Sequence, residues 1–161
     1  MKKSAVVVLT FLNFSFVAPA QSHTLEVVGP CESEAVFISL DIAAAPGTTL
    51  GDFSVRIFND HKLPFTGDRM GIASIFDSPT GIQALEILSD TQFRAYGWCV
   101  EVDGHASDQM IDQVILPEGN SRIVWFYAWA LYESGVWTQY CTPSWQTRSP
   151  YVCPPKPMPS R

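Results

Sequence analysis

Four cysteines, three histidines and a cluster of tryptophans and tyrosines are the side chains here with chemistry to offer. The histidines, His23, His61 and His105, lie in separate segments, and no Gly-x-Ser-x-Gly elbow accompanies them. A nucleophilic triad therefore has no local signature. Asp108 and Asp112 follow His105 closely, but their spacing fits no cation-binding loop, the EF-hand included. They read as a solvated polar loop, and no metal is expected. Glu101 and Asp103 could pair as carboxylates, yet beside a turn they read as exposed. The expectation is a protein with no catalytic residue and no cofactor of its own.

The aromatic pattern is the sharper signal. All ten Trp and Tyr residues fall between Tyr96 and Tyr151. Trp125, Tyr127 and Trp129 alternate along one segment, so on a strand they share one face. Trp98 lies on the strand expected to pair with it. Such a stripe is either a stacking platform for rings, sugars or a protein, or the wall of a second core covered by other segments. If a helix covers the opposite face, the smaller Val124, Phe126, Ala128 and Ala130 suit that helix and the stripe stays outside. The loop from His105 to Gln109 joins strands at a sheet end, where binding residues often sit. The candidate ligand-binding residues are thus Trp98, His105, Trp125, Tyr127 and Trp129.

The chain opens MKKSAVVVLTFLNFSFVAPAQS, with Lys2 and Lys3, an apolar run from Ala5 to Val17, and Ala18-Pro19-Ala20. That order is the form of an export signal cleaved after Ala20. Its removal would leave 141 residues and move the net charge from −6 to −8. No later apolar run is long enough for a membrane-spanning helix. An exported chain with Cys31, Cys99, Cys141 and Cys153 is expected to form two disulfides. Their wide spacing argues against structural zinc and leaves all three pairings open. Sixteen acidic residues against ten basic ones make a poor nucleic-acid binder. The compartment expected is the periplasm or the cell exterior.

These residues need elements to hold them. Alternation and turn signals predict strands over His23–Val28, Ala35–Ile42, Phe53–Phe58, Gly71–Phe76, Phe93–Val102, Asp112–Leu116, Arg122–Tyr132 and Val136–Cys141. The one helix expected starts at Ser78-Pro79, buries Ile82, Leu85 and Leu88, and ends at Ser89-Asp90. That order implies an α+β fold: a β-grasp-like mixed sheet with a single packed helix and extra N-terminal strands. The expected domain spans 21–145, followed by a proline-rich tail, 146–161.

The run AYGWCVEVDGHASDQMIDQVILPEGNSRIVWFYAW resembles the transcobalamin-like C-terminal domain family of exported β-grasp domains. The matching features are Tyr96-Gly97-Trp98, the Asp103-Gly104 turn, Glu118-Gly119 and Ile123 to Tyr127, over about Gly71 to Tyr132. In vitamin-binding members this domain caps one side of cobalamin. The resemblance thus implies a ring-bearing, cobalamin-like small ligand, approached by the hairpin around His105. It also implies the pair Cys99–Cys141, with Cys31–Cys153 remaining. The function expected is an exported, disulfide-stabilised small-ligand-binding domain. The alternative is a periplasmic or cell-surface interaction module whose partner is another exported protein.

Overall fold

The computed structural model describes residues 21–153. The expected export signal, residues 1–20, and residues 154–161 lie outside the described residues. Strands β1 (Gln21–Val28) and β2 (Ala35–Ala44) form an antiparallel hairpin, followed by helix α1 (Leu50–Asp60). A small separate hairpin follows, β3 (Phe65–Asp68) and β4 (Gly71–Ile75). A 3-10 turn, Gly81–Ala84, leads into β5 (Leu85–Ser89), β6 (Gln92–Val102) and the two-residue β7 (His105–Ala106). The long β8 (Arg122–Glu133), β9 (Val136–Pro143) and one turn of helix, α2 (Ser144–Thr147), complete the chain.

The main sheet has the order β2-β1-β8-β6-β5, with β7 on β6 and β9 on β8. Strand β1 runs parallel to β8, and the other neighbours are antiparallel. One main helix on a mixed seven-stranded sheet makes the fold α+β and β-grasp-like. The N-terminal strands are central to it, since β1 lies directly beside β8.

The helix is not where the alternation pointed. Residues 53–58, expected as a strand, belong to α1. Leu50, Phe53, Ser54, Ile57 and Phe58 recur with helical period and are all buried. The Thr49 hydroxyl oxygen accepts from the Asp52 N–H (3.1 Å), and Asp52 adds an acidic side chain to the first turn. Gly51 is required there, because a Cβ would come within 1.9 Å of the Arg69 carbonyl oxygen. Conversely, the segment expected as the helix is a 3-10 turn and strand β5. Ser78 does not cap it. Its hydroxyl is engaged by Ser74 (3.1 Å) and by the Trp98 indole (2.7 Å). Ile82 is 86% exposed, so the apparent apolar face has nothing to pack on. Residues 112–116 are not a strand either, and make one isolated bridge, Thr49 with Ile115.

The two sheet faces carry different covers. Phe58 meets Trp125 edge-on (6.1 Å), and the Trp125 indole donates to the Ser54 hydroxyl (3.0 Å). Helix α1 therefore packs on the aromatic face, not on the Val124/Phe126 face expected from side-chain size. On that second face Val28, Val124, Phe126 and Ala128 pack against Trp145 and the cysteines Cys99 and Cys141. Tyr140 and Cys141 together stand opposite the single Ala130, a bulge that carries Cys141 across to Cys99. Both disulfides implied by the resemblance are formed, Cys99–Cys141 and Cys31–Cys153.

His23 lies in the main core, fully buried and edge-on to Phe53 (5.5 Å). Neither ring nitrogen has a hydrogen-bond partner. Burial pushes its pKa below the ordinary 6.5, and the nearby Asp103 charge only partly opposes this. Above pH 6.5 the folded and unfolded chains both hold it neutral. Below that, the unfolded chain takes up a proton that the folded one refuses. Stability should then fall by up to about 1.4 kcal/mol per pH unit until the lowered folded pKa is reached. Urea midpoints on either side of pH 6.5 should show this fall in the native protein, and a smaller one in His23→Leu.

Candidate functional site

The sequence candidates fall in three places. His105 sits on the exposed β7, where its Nδ1 is 2.9 Å from the Asp103 carbonyl oxygen. Tyr127 and Trp129 are buried in a second core with Tyr96 and Ala84. Trp98 and Trp125 meet at the wall of a cleft.

The second core is built as a ladder. Tyr96 stacks on Tyr127 (6.0 Å) and on Tyr151 (6.3 Å), and Trp98 meets Tyr127 edge-on (5.5 Å). The Tyr127 hydroxyl donates to the Pro79 carbonyl (3.0 Å). Burial holds its pKa far above the ordinary tyrosine value, with Tyr96 and Tyr151 adding to the effect. The Arg94 guanidinium lies 4.8 Å over the Trp129 ring. Glu86 accepts from the Tyr96 hydroxyl (2.6 Å), from Arg94 (3.2 Å) and from the Ser149 hydroxyl (2.5 Å). Burial alone would raise the Glu86 pKa, but these three donors outweigh it and hold the carboxyl below its usual range. The ladder is closed by the end of the C-terminal segment, where Tyr151 stacks and Val152 packs against it. Ser144 donates to the Tyr127 carbonyl (2.8 Å), Tyr151 to the Gln83 carbonyl (2.7 Å), and Cys31–Cys153 fixes the end. Tyr127 and Trp129 therefore line no open platform. They are core because the C-terminal segment covers them.

The cleft arises from a gap in strand pairing. Along its outer edge β6 pairs with β5 from Gln92 to Ala95 and with β7 at Glu101 and Val102. Among the described residues no strand fills the stretch between, Tyr96 to Val100. There a cavity of about 270 Å³ opens, with Trp98 and Val100 of β6 and Trp125 of β8 as its back wall. Met70 to Ile72 form one side, and Ala106, Ser107, Gln109, Met110 and Ile111 form the other. Met70 and Met110 are about half exposed at the rim. Both indoles are fixed, through Trp98 to Ser78 (2.7 Å) and Trp125 to Ser54 (3.0 Å). No ionisable side chain lines the cavity, and its two cysteines are joined in a disulfide. An uncharged wall of indole rings and thioether side chains suits an apolar or aromatic group. It holds no acid, base or thiolate for catalysis.

The 105–109 loop thus reaches the site through Ala106, Ser107 and Gln109, while His105 points elsewhere. Met70, Ile72, Met110 and Ile111 escaped sequence reasoning. An exposed methionine has no period or motif, and β4 reaches the cleft only through the tertiary fold. Among the described residues no three His, Cys, Asp or Glu side chains cluster as metal ligands. No helix there is long and apolar enough to cross a membrane.

No protein-family model matches the chain. No curated protein matches it either.

The two walls of the cleft should respond differently to truncation. Trp125→Ala empties the space against Phe58 and leaves Ser54 unpaired, so it should cost about 3–5 kcal/mol of stability. Met110→Ala, at the rim, should change stability by no more than about 0.5 kcal/mol. Denaturant unfolding of the two variants measures both, and a reversed order would place Trp125 outside the core.

Proposed function

We propose that this protein is an exported, disulfide-stabilised binding module that takes the uncharged ring of a small ligand into the cleft at the β6 edge. The observation that carries this reading is the cleft itself, two fixed indoles and two rim methionines with no ionisable side chain. Its volume, about 270 Å³, is at the small end of the roughly 300–1,000 Å³ usual for ligand pockets. It suits one ring or the edge of a larger ring system, and the rest of the ligand remains outside. The resemblance of residues 71–132 to cobalamin-capping domains supports the same mode, in which a domain covers one side of a corrinoid-like ring. The protein binds rather than transforms, because the cleft offers no group that could hold or move a proton. Two disulfides are compatible with an oxidising compartment outside the cytoplasm, and the leader-like residues 1–20 support export.

Titration calorimetry with tryptophan fluorescence tests this against corrinoids, other neutral ring compounds and a glycan panel. A ring-bearing ligand should give saturable heat and shift the emission of Trp98 and Trp125. Met110→Glu should weaken that binding at least tenfold, about 1.4 kcal/mol, without lowering the melting temperature. No heat and no spectral change with any compound would overturn the reading.

A further inference from the structure

All four cysteines are joined in disulfides, so among the described residues no thiol is open to reaction. The reduced sulfurs left there are the thioethers of Met70 and Met110, since Met1 and Met158 lie outside the described residues. Both stand at the rim of the cleft, on opposite sides of it, and each is 53% exposed. Neither belongs to a hydrophobic core cluster, so the fold does not require a thioether at either place. Met70 ends the turn between β3 and β4, a position where glycine and small polar residues are usual. The Asp68 carboxylate accepts from its backbone N–H (2.8 Å) and sets that turn. The Met110 carbonyl accepts from the Gln113 N–H (2.9 Å), which fixes the backbone on the other side. Two fixed backbones thus present solvent-facing thioethers at the mouth of an uncharged cavity.

We propose that Met70 and Met110 form a peroxide-sensitive modification site that closes the cleft to its ligand, an inference that rests on the binding mode proposed above. The oxidant is hydrogen peroxide or an organic hydroperoxide. A lone pair on the thioether sulfur attacks one peroxide oxygen, and the S–O bond forms as the O–O bond breaks. The proton on the transferred oxygen passes to the leaving oxygen, which departs as water or an alcohol. Each sulfur gives up two electrons to one peroxide and becomes a sulfoxide. The side chain changes from flexible and apolar to polar and chiral. A sulfoxide oxygen at the rim holds water by hydrogen bonding. A ring entering the cleft must strip that water, and its apolar face offers no bond in return. Because neither methionine packs in a core, the change falls on binding and leaves the fold in place. Methionine sulfoxide is reduced enzymatically, so the closure is reversible.

The test compares the purified protein before and after hydrogen peroxide, with N-phenyl-1-naphthylamine, an uncharged fluorescent ring compound, as the probe. Peptide mass mapping should place one oxygen on Met70 and one on Met110 in the folded protein, with both disulfides intact and the melting temperature unmoved. Affinity for the probe should fall at least about tenfold. Methionine sulfoxide reductases of both stereospecificities should restore it. The double variant Met70→Leu, Met110→Leu, whatever its own affinity, should bind the probe equally before and after peroxide. Four results would each overturn this inference and leave the cleft reading standing. They are sulfurs that resist peroxide in the folded protein, an oxidised protein that binds as before, a loss that the reductases do not reverse, and a double variant as sensitive as the native chain. Untreated protein that takes up neither this probe nor any other ring compound overturns both.

Discussion

Strand β8 must be buried on both faces, and its two faces are of unequal depth. From Ile123 to Trp129 every residue is buried. Trp125, Tyr127 and Trp129 project on one side, and Val124, Phe126 and Ala128 on the other. Large rings on a sheet need a thick cover. The eleven residues of α1 supply it only over Trp125. Tyr127 and Trp129 lie beyond its reach, and the chain returns there through Ser149 to Val152, with Val152 packed against the same cluster. The small side chains on the opposite face do the reverse. They leave a shallow surface over which the Cys99–Cys141 bridge and Trp145 fit directly. Both disulfides thus serve one strand, by clamping β9 across it and by anchoring the segment that hides its rings.

Burying so many rings with polar tips carries a second requirement. An indole N–H or phenol O–H without a partner in the core costs more than a hydrogen bond gains. Trp125 is satisfied by Ser54, Trp98 by Ser78, Tyr127 by the Pro79 carbonyl and Tyr96 by Glu86. The partners come from three elements, since Ser78 and Pro79 are neighbours in the loop after β4. These bonds fix how the helix, the loop after β4, and β5 sit on the sheet. Glu86 shows the logic most fully. A half-buried carboxylate is held here because three donors converge on it, and one of them, Ser149, belongs to the covering segment. Trp129 is the exception, since its indole nitrogen is buried without a partner, and the Arg94 guanidinium over its ring is the polar contact it has.

The fold class was legible because it follows from the order and pairing of strongly alternating strands. The helix position was not. Within Phe53 to Phe58 the alternation Phe53, Val55, Ile57 reads as a strand. The helical recurrence appears only when the window reaches back to Thr49 and Leu50. Gly51 works against that wider reading, since glycine is a weak helix former. Its reason for being there, the Arg69 carbonyl, is a tertiary contact that no local pattern reveals. The mirror error at 78–89 has the same root. Ser-Pro followed by Ile82, Leu85 and Leu88 satisfies every local helix rule, but Ile82 meets no core and Leu85 pairs with Ala95 instead. Local rules say what a segment can form, and the available partner surface decides which form it takes.

The site was half legible for a related reason. Aromatic spacing singled out Trp98 and Trp125, which line the cleft, but could not separate them from Tyr127 and Trp129, which carry the same pattern. What separates them is coverage. Over Tyr127 and Trp129 the sheet is roofed by a tethered segment, whereas at Trp98 the outer edge of β6 has lost its neighbour. Strand β5 stops opposite Ala95 and β7 starts opposite Val102, so the cleft is a missing length of strand. An opening of that origin is rigid, because β8 pairs with β6 along its full length behind the gap. In the binding mode we propose, fixed indoles at the back and adaptable methionines at the rim would divide the work of recognition. The first would set the shape of what can enter, and the second would adjust to what remains outside.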